Sequence, residues 1–134
     1  MGKEEPKMSN VPSNLKYSKD HEWVDGEVAV GAKVKIGITD YAQGALGDIV
    51  YVQLPKVGDS VNEGSVCGEV ESTKSVSEIF SPVTGKVSAI NSALDSAPET
   101  LNSDPYGSGW ILEVEVSAPA SSLMDGAAYT SLIG

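Results

Sequence analysis

The chain has 134 residues, 40% of them apolar and 21% charged, which is the balance of an ordinary globular domain. Its formal net charge of -10 disfavours nucleic acid and anionic membranes as partners, because both are bound through basic patches. No apolar run approaches the roughly 20 residues of a membrane-spanning helix. We therefore expect no nucleic acid and no membrane among its partners.

Residues 1–14 (MGKEEPKMSNVPSN) have neither the apolar centre of a signal peptide nor the arginines of a mitochondrial transit peptide. We predict a disordered leader over 1–14 and a single domain over 15–134. A cytoplasmic protein of bacterial type fits this N-terminus best.

Several short stretches alternate between apolar and polar residues, which is the period of a strand with one buried face. The Asp25-Gly26 pair is a hairpin turn signal between the first two stretches. Gly31 is a point where the second could bend or break. Outside the central hairpin, the pattern predicts strands over 15–24, 28–38, 49–54, 86–90 and 110–116.

Helices are predicted to be few and short. Thr39 or Asp40 can cap a helix over 41–46, and Gly47 can end it. A loop with one helical turn is expected near 98–101.

From Pro119 the apolar residues take helical spacing, which predicts C-terminal helices over about 119–133, with Asp125 as a cap. Many short strands followed by a helical tail are typical of a mainly β fold. We predict a small β-sandwich, or barrel-sandwich hybrid, of short antiparallel strands with minor helices.

The segment 66–80 (VCGEVESTKSVSEIF) predicts a hairpin of two antiparallel strands joined by a short polar turn. Lys74 lies at the tip of that turn. The Ser81-Pro82 step ends the second strand, because proline has no N–H for a ladder. A tip lysine projects a flexible stem into water and suits covalent attachment, although many surface lysines only aid solubility.

Signals of catalysis are weak in this sequence. His21 is the only histidine, and no nucleophile motif, metal-ligand spacing, GxGxxG or P-loop sequence accompanies it. We interpret His21 as a strand residue near a turn and the single cysteine, Cys67, as a small buried hydrophobe. The chain is therefore predicted to be neither an enzyme nor a metal-binding protein.

The segment 58–90 resembles the lipoyl and biotinyl carrier modules, in which a hairpin lysine takes the cofactor and a proline-glycine turn follows. Its tip, Thr73-Lys74-Ser75, differs from the Met-Lys-Met of biotin carriers and the Asp-Lys-Ala of lipoyl acyltransferase domains. Together with its flanking segments, the chain resembles the H protein of the glycine cleavage system. The flanking segments are LKYSKDHEWV (15–24), VGAKVKIGITDYAQGALGDIVYVQLP (30–55) and LNSDPYGSGWILEV (101–114).

That resemblance implies a monomeric carrier, not an enzyme, with lipoate amide-linked to Lys74. Such a carrier takes the aminomethyl group of glycine from glycine decarboxylase, a pyridoxal-phosphate enzyme, to the tetrahydrofolate-dependent aminomethyltransferase. Dihydrolipoyl dehydrogenase reoxidises it, and a lipoate ligase or octanoyltransferase loads it.

The resemblance also implies a groove that shelters the loaded arm. Its polar groups fall on Asp20, Glu22 and Glu78, and Ile38 supplies apolar wall; a carboxylate is a sensible partner for a protonated amine. Ala45 stands where some family members carry a histidine.

Two alternatives remain at this point. The first is a lipoyl-relay relative that supplies lipoate to other enzymes. The second is a β-sandwich interaction domain without a cofactor. In that case the glutamates beside the tip, Glu69, Glu71 and Glu78, form only a solvated face.

Overall fold

The computed structural model describes residues 10–134, a mainly β chain of two antiparallel sheets with few helices. The first sheet has the order β1-β2-β3-β9-β8-β5, and the second has the order β4-β6-β7. The strands in the described part are β1 (Lys16–Tyr17), β2 (Glu22–Asp25), β3 (Lys33–Ile38), β4 (Ile49–Gln53), β5 (Ser60–Val61), β6 (Val66–Ser72), β7 (Val76–Phe80), β8 (Thr84–Ile90) and β9 (Leu112–Ala118). The helices are α1 (Asp40–Leu46), α2 (Thr100–Ser103) and α3 (Gly126–Ile133), with a 3₁₀ turn over Ser92–Asp95.

The core contains side chains from both sheets. Along β3, Val34 and Ile36 are buried while Lys33 and Lys35 are exposed, so the period-two pattern separates core from solvent. Val70 and Ile79 of the second sheet belong to the same apolar cluster. The predicted fold class, a small sandwich of short antiparallel strands, is confirmed.

The first predicted strand, 15–24, is wrong in one respect: it is two strands joined by a turn. Ser18 N–H donates to the Glu22 carbonyl, and the Ser18 hydroxyl accepts the Glu22 N–H at 3.1 Å. His21 takes a left-handed conformation with φ 71° inside this turn, so it is not a strand residue. Alternation in sequence cannot reveal a turn that a serine side chain closes.

The second predicted strand, 28–38, is shorter than expected. Only Lys33–Ile38 is a strand, and Gly31, with φ 92°, lies in the preceding turn. Ala32 N–H donates back to the Ala29 carbonyl at 2.9 Å, which places 28–32 in a loop. The sequence also missed β5, a two-residue strand that pairs with β8.

Helix α1 has the predicted caps. The Thr39 hydroxyl accepts the Ala42 N–H at 3.2 Å, and Gly47 ends the helix with φ 85°. No helix among the described residues is long and apolar enough to cross a membrane.

The C-terminal prediction is wrong for 119–125, which is not helical. The N–H groups of Ser121 and Ser122 donate to the Glu63 carboxylate, and Met124 exchanges two backbone hydrogen bonds with Tyr17. These partners replace the intrahelical bonds that a helix would need. Only α3 is helical, and the Asp125 carboxylate caps it by accepting the Ala128 N–H at 2.8 Å.

Part of the predicted disordered leader has defined contacts. Asn10 N–H donates to the Asp40 carboxylate at 3.0 Å, and the Asn10 carbonyl accepts the Tyr106 hydroxyl at 2.6 Å. Residues 1–9 of the predicted leader lie outside the described part of the chain.

Candidate functional site

The hairpin formed by β6 and β7 ends in an exposed turn that carries Lys74. Glu71 and Val76 are the last paired residues before the turn. Ser72 is buried, and its hydroxyl accepts the N–H groups of Lys74 at 3.2 Å and Ser75 at 3.1 Å. This side chain stabilises a turn that has no glycine or proline, so the backbone under Lys74 is fixed while its stem reaches solvent.

The tip rests on the segment that follows α1. Thr73 N–H donates to the Asp48 carbonyl at 3.0 Å. The Lys74 side chain lies across Gly47, where an added Cβ would come within 2.9 Å of Lys74 Cε and 3.6 Å of its Nζ. The positive φ of Gly47 favours glycine, whereas the flexible end of the lysine stem can move aside for a small side chain.

One side chain from a distant part of the chain holds that segment. Asn102, in α2, donates to the Gly47 carbonyl and to Gln43 Oε1, each at 2.9 Å. The side-chain oxygen of Asn102, Oδ1, accepts the Ile49 N–H at 2.9 Å. Asn102 is not among the residues predicted for the site, because nothing local marks a contact between residues more than 50 positions apart.

Glu22 differs from the other two predicted groove carboxylates because it is buried, with only 2% of its surface exposed. Its carboxylate accepts the Ser18 hydroxyl at 2.6 Å and the Phe80 N–H at 3.1 Å. Burial raises the pKa of Glu22 to about 8, and the charge of Asp20 adds to the rise, while the two hydrogen bonds oppose it. Through its hydrogen bonds with Ser18 and Phe80, Glu22 joins the β1–β2 turn to the end of β7.

The remaining predicted groove residues divide by exposure. Ile38 is buried and is the cross-strand partner of Glu22 in the β2–β3 ladder. Asp20 is exposed, and so is Glu78, which lies opposite Glu69 on the second sheet. The structure therefore brings Glu22 and Ile38 together in the interior and leaves two carboxylates in solvent. Ala45 is exposed on α1.

The solvent face of the second sheet begins beside Lys74. Tyr51, Glu71 and Val76 form one row across β4, β6 and β7, and all three are exposed. The next row contains Glu69, which is half-buried, and Glu78. The face next to the lysine is thus acidic with apolar side chains among the carboxylates.

A cavity of about 510 Å³ lies at the opposite end of the hairpin, lined by Leu54, Val61 and Cys67 among others. At about 3.3 Å per strand residue, Cys67 is roughly 20 Å along the hairpin from Lys74, so this cavity does not adjoin the tip. Cys67 is half-buried. Burial, together with the nearby Glu22, raises the pKa of its thiol to about 12, so the thiol stays protonated.

His21 belongs to a hydrogen-bonded cluster that holds α3. Its Nδ1 lies 2.8 Å from the Tyr129 hydroxyl, which also lies 2.8 Å from Thr39 Oγ1. The Tyr129 ring stacks on Tyr17 with centroids 4.7 Å apart. These contacts assign His21 a structural role. Across 10–134, no group of three or more His, Cys, Asp or Glu side chains is arranged to hold a metal ion.

Comparison with known proteins gives consistent matches over nearly the whole chain. The family model described as Glycine cleavage H-protein matches residues 15–133. The glycine cleavage system H protein of Myxococcus xanthus is 52% identical over 126 residues, covering 92% of this chain and 95% of that protein. The one from Beutenbergia cavernae is 54% identical over 125 residues, covering 92% and 96%. A crystal structure of a glycine cleavage system H protein from Mycobacterium marinum matches with a TM-score of 0.86 and 40% identity, covering 92% of this chain and 99% of that one.

Proposed function

The chain belongs to the glycine cleavage H-protein family, and we propose that it is a non-catalytic carrier whose Lys74 amine holds lipoate through an amide bond. The observation that carries the proposal is the exposed lysine on a turn whose backbone is held by Ser72. A modifying enzyme has to reach the amine, and a partner enzyme needs the attachment point of the arm to stay in a fixed position. An exposed stem on a fixed turn satisfies both needs.

The residues around Lys74 fit an attached acyl chain. The lysine stem passes over Gly47, where no side chain competes for space. Amide formation removes the lysine charge, and no buried carboxylate at the tip depends on that charge. When attached to Lys74, lipoate would supply a disulfide able to accept a one-carbon unit together with two electrons.

As a carrier, the chain would take the aminomethyl group of glycine from glycine decarboxylase to aminomethyltransferase. Dihydrolipoyl dehydrogenase would reoxidise it, and a lipoate ligase or octanoyltransferase would load it. The structural contribution of the chain is tethering. A flexible arm on a fixed point replaces free diffusion by a high effective concentration at each partner.

For the resting arm, exposed and buried residues take different roles. Asp20 and Glu78 are exposed carboxylates that can meet a protonated amine. Glu22 already accepts two hydrogen bonds, and with Ile38 it would form the wall behind the arm instead of contacting the amine. Bacterial relatives of similar length support a cytoplasmic location, and we propose that the carrier acts as a monomer.

The proposal is tested by intact mass. The chain is incubated with lipoate, ATP and a lipoate ligase, and wild type is compared with Lys74→Arg. Wild type should gain one lipoyl unit and the variant none. An unchanged wild-type mass, or an equal gain by Lys74→Arg, would contradict the proposal.

A further inference from the structure

We propose that Asn102 is a positioning residue for the carrier arm: it holds the segment 47–49 in place and so fixes where the hairpin tip presents Lys74. The inference rests on the proposed function, because it concerns how enzymes meet Lys74. Asn102 lies outside the hairpin, yet it would help to position the lysine that carries the arm.

The Asn102 side chain acts as a clamp on the segment 47–49. Asn102 uses both ends of its side-chain amide on the segment between α1 and β4, donating to the Gly47 carbonyl and accepting the Ile49 N–H, each at 2.9 Å. It also donates to Gln43 Oε1 of α1 at 2.9 Å. β4 is the edge strand of the second sheet, and Ile49 forms a non-hydrogen-bonded pair with Ser72, so its N–H points away from β6. The Asn102 side chain supplies the partner that this N–H needs.

The segment that Asn102 holds also contacts the hairpin tip. Asp48 lies between the two clamped residues, and its carbonyl accepts the Thr73 N–H at 3.0 Å. Gly47 lies beneath the Lys74 stem. Thr73 and Lys74 therefore contact residues whose backbone Asn102 holds directly. If the segment moves, the supports under both tip residues move with it.

A second asparagine, the buried Asn91, offers a matched control for general stability. Asn91 is an equivalent clamp elsewhere: its amide donates to the Ser108 carbonyl at 2.8 Å and the Trp110 carbonyl at 2.7 Å. Its partners lie just before β9, and neither is among the residues that contact Thr73 or Lys74. Removing either asparagine leaves backbone groups without partners and should lower stability. Only removal of Asn102 should disturb the tip.

The experiment compares Asn102→Ala, Asn102→Asp and Asn91→Ala with wild type. Two quantities are measured: hydrogen exchange at the Thr73 amide, and the kcat and KM of a lipoate ligase acting on each chain with lipoate and ATP. Asn102→Asp keeps an acceptor for Ile49 but loses both donors, and it serves as the second variant if the alanine protein does not fold.

Both Asn102 variants should speed Thr73 exchange and lower kcat/KM for loading by about tenfold or more, because small misplacements of a reacting group are costly. Asn91→Ala should unfold at lower denaturant yet keep wild-type exchange and loading. Wild-type exchange in both Asn102 variants would overturn the inference, as would faster exchange with unchanged kcat/KM or an equal loading defect in Asn91→Ala. A wild type that takes no lipoate would reject the proposed function, while the Thr73 exchange would still decide whether Asn102 holds the tip.

Discussion

The two ends of the central hairpin are held in different ways. At the tip, the Thr73 N–H donates to the Asp48 carbonyl and the Lys74 stem lies over Gly47, and Asn102 holds that support. At the base, the buried carboxyl of Glu22 accepts the Phe80 N–H. The tip is thus accessible and its contacts do not depend on protonation, whereas the base is buried and contains a group with a raised pKa. The tip of the hairpin therefore presents the arm, while its base anchors the hairpin to the rest of the fold.

The largest effect is expected at the base. Glu22→Ala leaves the N–H of the half-buried Phe80 without its acceptor and should lower the free energy of unfolding by about 1–3 kcal/mol. Urea denaturation measures this, with Glu78→Ala as the exposed control, for which a change within about 0.5 kcal/mol is expected. Equal losses in the two variants would show that Glu22 does not anchor the hairpin.

The base should also be sensitive to pH. The folded chain holds the Glu22 proton up to a pKa of about 8, while the unfolded chain releases it near 4.5. Because the folded state binds more protons in that window, the free energy of unfolding contributed by Glu22 falls as pH rises from 4.5 towards 8.

Glu22→Gln should remove this decline. The measurement is the difference in free energy of unfolding between wild type and Glu22→Gln across pH 4.5 to 8. His21, whose pKa is lowered mainly by burial, contributes a rise in stability with pH that both proteins share and that cancels in the difference. A difference that stays flat across the window would contradict the assignment.

At the tip a smaller loss of stability is expected, together with an effect on loading. Gly47→Ala places an alanine at a positive φ, which should cost about 1 kcal/mol or more. Its Cβ also displaces the flexible Lys74 stem, which should slow lipoylation. Gly44→Ala, inside α1 with open space around it, is the matched control and should be neutral or stabilising by up to about 1 kcal/mol. Thermal unfolding and ligase kinetics on the two variants compare them. If both variants are lipoylated at the wild-type rate, the contact between Gly47 and the Lys74 stem does not affect loading.

The smallest effect concerns Lys74 itself. Lys74→Arg should change the free energy of unfolding by no more than about 0.5 kcal/mol, because the residue is exposed and the turn depends on Ser72. A loss of unfolding free energy comparable to that of Glu22→Ala would mean that the lysine supports the fold. The tip and the base of the hairpin would then not differ in their roles.

Local patterns predicted the parts of the site that depend on local physics. The hairpin runs from Val66 to Phe80 at the predicted bounds, and Thr39 and Gly47 cap α1 as expected. Alternation and capping act over a few residues, so a sequence displays them directly.

The rest depends on contacts between distant segments. Asn102 holds Gly47 across 55 positions. Glu22 is buried although glutamate is usually exposed, because a hydroxyl and an N–H from two different elements meet its carboxyl. The strand predicted over 15–24 includes His21, whereas the folded chain has His21 in a turn that the Ser18 side chain closes. No local pattern encodes these pairings, so only the folded chain reveals them.

The carrier role is tested most directly by glycine–bicarbonate exchange with purified glycine decarboxylase. The chain lipoylated at Lys74 should support exchange, while the unloaded chain and Lys74→Arg treated with the same ligase should not. Asp20→Ala and Glu78→Ala chains, loaded equally, then report on the resting place of the arm. A chain fully lipoylated at Lys74 that supports no exchange would contradict the carrier role and favour a lipoyl-relay function.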